Sequence, residues 1–138
     1  LGIKQSLREH PNIILCGEIR DKEVINTTIE AARTGHLVAT TFHSDSVAGT
    51  VSRLLYHLQD AGEDMIYDLI INMNLILSQR ITSNGTKFSL ETQYMFFTEE
   101  IIKYLLNMVE NKKNISQSIN YLFKNESLLK SGVIKDWD

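Results

Sequence analysis

An α/β fold is predicted, with parallel strands and flanking helices, followed by a β-hairpin and a small C-terminal helical region. Three observations lead there. Two short apolar runs at residues 13 to 16 and 37 to 42 lie either side of a segment with helical periodicity. An Asn84-Gly85 pair sits between two later strand-like segments. Beyond Thr98 the apolar residues recur only at helical spacing.

The elements follow in order. After Pro11, the run Ile13, Ile14, Leu15, Cys16 is short and continuously apolar, which suits a strand buried on both faces of a parallel sheet, with Gly17 ending it. Residues 22 to 33 place Val24, Ile25, Thr28, Ile29 and Ala32 on one helical face, with Asp21 to cap the first turn and Gly35 to close the last. A second strand covers 37 to 42. Val47, Val51, Leu54, Leu55 and Leu58 then form an amphipathic stripe over a helix at 45 to 58. Gly62 and Asp64 open a third helix whose Met65, Ile66, Leu69, Ile70, Met73 and Ile76 share a side. Residues 81 to 96 read as the hairpin. Thr98 caps a helix carrying Ile101, Ile102, Leu105, Leu106 and Val109, the polar stretch 111 to 114 breaks it, and a last helix covers 115 to 123. The segment 131 to 138 reads as a loosely held end.

The chain has 138 residues, 43% of them hydrophobic, enough for one ordinary core and too few for two independent domains. We divide it at residue 97, with an α/β part at 1 to 97 and a helical part at 98 to 138. The formal net charge is -3, and the 14 lysines and arginines are scattered, so no direct nucleic-acid contact is expected. Cys16 is the one cysteine, which excludes an internal disulfide framework and fits a reducing, cytoplasmic compartment. No apolar stretch approaches the roughly 20 residues of a membrane span. The sequence begins at Leu1, and we read it as an excerpt of a longer chain.

In a parallel sheet, ligands bind beyond the carboxyl ends of the strands. Glu18 lies two residues after the first strand's last apolar residue, and His43 lies directly after the second strand. A carboxylate delivered by a buried strand to that edge is the Walker B arrangement, in which the acid orders a Mg²⁺ shell and polarises the attacking water. An imidazole one strand over can donate to a terminal phosphate. Arg20, Arg53 and Arg80 read as salt-bridge partners or subunit contacts.

At these residues the sequence resembles the type II and type IV secretion and pilus-motor ATPases. The matching segments are LREHPNIILCGEIRD at 7 to 21, AARTGHLVATTFHSDSVAGTVSRLL at 31 to 55 and LILSQRI at 75 to 81. Their length and order make chance occurrence very improbable. The resemblance implies that Glu18 is the catalytic base of Walker B and touches Mg²⁺ through its shell. It implies that His43 is the phosphate-contacting histidine of the histidine box. His36 matches the first histidine of that box, and Arg20 and Asp21 the charged pair closing Walker B. It further implies a RecA-like P-loop NTPase core, a hexamer with ATP between subunits, and coupling of hydrolysis to a pilus or secretion machine through a platform protein at the cytoplasmic face of the inner membrane.

Departures from the family pattern shape the expectation. No G-x-x-x-x-G-K-[ST] occurs in these residues, so the excerpt alone is expected to bind ATP poorly and to hydrolyse it negligibly. No paired C-x-x-C follows Ser78, Gln79 and Arg80, which favours retraction-type or conjugation-type relatives over the zinc-bearing branch. A different class of function competes: a non-catalytic, truncated module that packs into a ring. A ring helicase fits less well, since neither a basic groove nor stacking aromatics are evident.

Overall fold

The computed structural model describes residues 2 to 137, and they form two compact units. The first comprises residues up to His43 together with Leu54–Asn72; the second comprises Ser44–Arg53 and everything from Met73 onward.

In the first unit, helix α1 (Gly2–Ser6) and a single 3-10 turn (Leu7–Glu9) lead into strand β1 (Ile13–Glu18). Helix α2 (Lys22–Arg33) crosses back to strand β2 (Leu37–Thr41), which pairs with β1 in parallel. This is the expected strand-helix-strand unit. Asp21 caps α2 as its composition suggests, its Oδ1 accepting the Val24 N–H at 2.9 Å. At the other end Gly35 takes φ +96°, a left-handed conformation that costs a residue without Cβ little, and donates its N–H to the Ala32 carbonyl. The inward face of α2 buries Ile25, Ile29 and Ala31. Helix α3 (Val47–Leu58) starts in the second unit and ends in the first, and helix α4 (Glu63–Asn72) packs on α2, with Arg33 Nη1 3.0 Å from Asp68 Oδ2.

Two readings of β1 need correction. The strand runs through Gly17 to Glu18 because Gly17 is absorbed in a bulge, the register slipping between Leu15 and Glu18. Nor is β1 covered on both faces: Ile14 is buried, while Ile13 and Leu15 are 62% and 83% exposed. Among the described residues the parallel sheet has only two strands, so one face of its apolar run has no cover.

In the second unit, β3 (Leu75–Ser83) and β4 (Phe88–Phe96) make an antiparallel hairpin, followed by α5 (Glu99–Glu110), α6 (Ile115–Leu122), α7 (Glu126–Ser131) and the short strand β5 (Ile134–Lys135). The hairpin begins at Leu75, not at residue 81, and α4 stops at Asn72, so Met73 and Ile76 leave the helix they were expected to join. Leu75, Ile76 and Leu77 fit either periodicity, and the ladder from Leu75↔Phe96 to Ser83↔Phe88 decides for a strand. The Asn84 side chain closes the turn by accepting the N–H groups of Thr86 and Lys87, and Gly85 takes φ +91°. Thr98 caps α5 as expected, and the polar break supplies Asn114 as the cap of α6.

The segment after 131 is not loose. Ile134 is 1% exposed and pairs with Met95, itself fully buried, so that short strand docks on β4 and helps to seal a core with Ile101, Leu105, Ile119 and Leu122.

Candidate functional site

The carboxyl ends of β1 and β2 lie side by side, and the bulge sets what they present. Between Leu15↔Ala39 and Glu18↔Thr41 the first strand spends one more residue than the second. The Gly17 carbonyl accepts the hydroxyls of Thr40 at 2.9 Å and Thr41 at 3.2 Å. Two residues further, Ile19 is buried and its N–H donates to the Thr41 carbonyl at 3.0 Å. Alternation then turns Glu18 and Arg20 to the side opposite Ile19.

Both Glu18 oxygens are occupied. Oε1 lies 3.0 Å from His43 Nε2, and Oε2 lies 2.9 Å from an Arg20 terminal nitrogen and 3.0 Å from Arg20 Nε. The Glu18 side chain is 25% exposed, while those of Arg20 and His43 are 78% and 85% exposed. A sheltered carboxylate thus sits between two donors that reach in from solvent. Such a group can accept a proton from water while its neighbours stabilise nearby negative charge.

Asp21 stands next to this cluster with one oxygen committed to its capping bond. With Glu18 it lines a cavity of about 590 Å³, whose walls include Lys4, Cys16, Val24 and Thr27. Cys16 is half-buried there. Among the described residues no three His, Cys, Asp or Glu side chains converge on a metal site. A lone carboxylate whose oxygens are both engaged suits contact with Mg²⁺ through water, since that ion retains several of its waters.

His36 is not brought to the cluster. It precedes β2, at the strand's amino end, while His43 follows the carboxyl end, a separation on the order of 20 Å along the chain at strand rise. There its Nδ1 lies 3.1 Å from the Ala31 carbonyl and 3.2 Å from Thr34 Oγ1, bracing the turn between α2 and β2. Arg80 is held as an ion-pair partner, its Nε donating to Glu91 Oε2 at 2.6 Å with its guanidinium 4.4 Å from the Trp137 ring centroid. Thr40 and Thr41 were not singled out in the sequence. Their hydroxyls matter only because of the bulge, which leaves no mark on composition.

Open α/β sheets of parallel strands bind their ligands beyond the carboxyl ends of the strands, where Glu18 and His43 lie. The solved structures that this one resembles include an ATPase and a pilus motor. The Yersinia pseudotuberculosis ATPase DotB superposes with a TM-score of 0.78 and 29% identity, over 98% of this chain and 37% of that one. The pilus retraction motor PilT with bound ADP gives 0.64 and 26%, over 89% and 38%.

The chain belongs to the type II/IV secretion system protein family, whose model matches residues 1 to 115. It is 40% identical over 80 residues to the type IV pilus assembly ATPase PilB of Pseudomonas aeruginosa, covering 58% of this chain and 13% of that protein. It is 37% identical over 110 residues to the type II secretion system protein E of Xanthomonas campestris pv. campestris, covering 79% and 18%. The chain therefore spans less than a fifth of these two relatives. They include the pilus-assembly and type II branches, whereas the structural neighbours are DotB and a retraction motor, so the resemblance extends to the former as well as to the retraction-type and conjugation-type relatives that the absence of a C-x-x-C pair favours. No helix among the described residues is long and apolar enough to cross a membrane.

Proposed function

We propose that this chain is the catalytic portion of a hexameric motor ATPase that couples ATP hydrolysis to pilus assembly or retraction, or to secretion. The observation that carries this reading is the Glu18 carboxylate, held between Arg20 and His43 where two parallel strands end. Glu18 acts as the base, taking the proton of the attacking water on Oε1 or Oε2 and ordering the water shell of Mg²⁺. His43 turns its Nε2–H toward the terminal phosphate, and Arg20 offers charge to the same region. Bound ATP brings the phosphoryl group and Mg²⁺ offsets its charge. Asp21 and His36 belong to the reading as residues that shape the nucleotide site's surroundings, one through the first turn of α2 and the other through the turn before β2.

The subunits assemble as a ring, contact a platform protein at the cytoplasmic face of the inner membrane, and reach the membrane only through such partners. The helical segment 98 to 138 accompanies the α/β part as its C-terminal appendage.

In the full-length protein, Glu18→Gln is expected to retain ATP binding and to lose turnover by about 100-fold or more, the size seen when a catalytic acid-base group is removed. Steady-state phosphate release alongside nucleotide binding measures both. Hydrolysis at the wild-type rate would sink the catalytic reading and leave the chain as a ring-packing module.

A further inference from the structure

Four residues after His43 the chain enters α3, and the beginning of that helix is held from elsewhere. The Val47 N–H, one of the donors a helix start leaves without an internal acceptor, goes to Gln93 Oε1 at 2.9 Å. Gln93 is 6% exposed and sits in the middle of β4, opposite Ser78. Its other end, Nε2, donates to Asp136 Oδ1 at 2.8 Å. Asp136 follows β5, whose pairing with Tyr94 and Met95 places it there.

The chemistry of this chain of bonds is directional. An ionised carboxylate only accepts, so Asp136 can be met only by the amide's NH₂. That choice turns the amide oxygen to the helix. A Gln93 left to flip would set a donor against the Val47 N–H, and a buried unmet donor is costly. The segment between His43 and Val47 has little slack of its own. Ser46 Oγ accepts the Gly49 N–H at 3.0 Å, and a Cβ at Gly49 would lie 2.7 Å from Asp45 Oδ1 and 2.8 Å from Ser44 Oγ.

We infer that Gln93, oriented by Asp136, is a positioning residue: it clamps the amino end of α3 and thereby restrains the segment that carries His43. The consequence for turnover rests on the catalytic reading above; the clamp itself does not. The C-terminal strand thus acts as a fastener for a loop more than 80 residues earlier in sequence, through one buried amide.

Reversing the bonds tests it in the full-length protein. Gln93→Glu sets two carboxylates face to face and should open the clamp; adding Asp136→Asn supplies an NH₂ donor and should close it again. Hydrogen exchange of the peptide spanning 44 to 53 should speed up by about 10-fold in the single variant and return to within about twofold in the pair. ATP turnover should fall roughly 10-fold with KM within about twofold, and recover in the pair. Gln93→Leu, which removes both bonds, should open the clamp and gain nothing from Asp136→Asn. Unchanged exchange in Gln93→Glu, or no recovery in the pair, would overturn the clamp. Exchange that follows the pattern while turnover stays put would overturn the positioning role. Glu18→Gln in the same assay separates this from the catalytic reading: were that variant to hydrolyse normally, the catalytic reading would fall while the exchange result still judged the clamp.

Discussion

The parallel pair β1–β2 and the antiparallel sheet β3–β4–β5 draw on the same kinds of residue and hold their strands in opposite ways. In the first, the register breaks once within six residues and the apolar Ile13, Leu15 and Leu37 stay exposed. In the second, nine pairs run without a slip from Leu75↔Phe96 to Ser83↔Phe88, and the third strand buries Met95 and Ile134 against each other. The irregular ladder presents the acid, the arginine and the imidazole. The regular one presents no such cluster among the described residues. A bulge re-aims a side chain at the cost of ladder bonds, so a chain that needs one well-aimed carboxylate gains from keeping its regular pairing elsewhere.

That contrast can be broken in order of expected size. The largest effect should come from the irregular side, where Glu18→Gln removes the proton acceptor and turnover with it. On the regular side, Met95→Ala empties a fully buried position and should cost about 2–5 kcal/mol, read as a lower denaturant midpoint with activity per folded molecule unchanged. Gly49→Ala forces a Cβ among three polar side chains at 2.7–2.9 Å and should cost about 1–3 kcal/mol, read as a lower denaturant midpoint. Asp21→Ala strips the cap of α2 and should cost about 1 kcal/mol. Leu15→Thr, on the uncovered face of β1, should change stability by less than about 0.5 kcal/mol within this chain. A large loss there would mean that the face is covered in the molecule under test.

Much of the fold could be read from the residues because local chemistry specified it. Asp21 and Thr98 are caps in sequence and in structure, and Asn84-Gly85 makes its turn through the Asn84 side chain. The meeting of Glu18 and His43 could also be anticipated, since two strands joined by one helix lie parallel and bring their carboxyl ends together. What stayed hidden depended on partners distant in sequence. Nothing local distinguishes Ile76 in a helix from Ile76 in a strand until Met95 is opposite it. Ile134 and Lys135 are too few to announce a strand. Gln93 is an interior residue only through Val47 and Asp136, both more than 40 residues away in sequence. His36 lies in a matched motif, and its hydrogen bonds are those of the turn between α2 and β2.

The docking of β5 has one more consequence. By lying along Tyr94 and Met95 it covers that end of β4, while β3 keeps an outer edge open along its whole length among the described residues. The outer edge of that nine-residue strand, flanked by the exposed Leu75, Leu77 and Ile81, forms a template on which a foreign strand can add. Association of partly unfolded molecules should be able to start along that edge, and a lysine substituted at Ile81 would act as a gatekeeper against it.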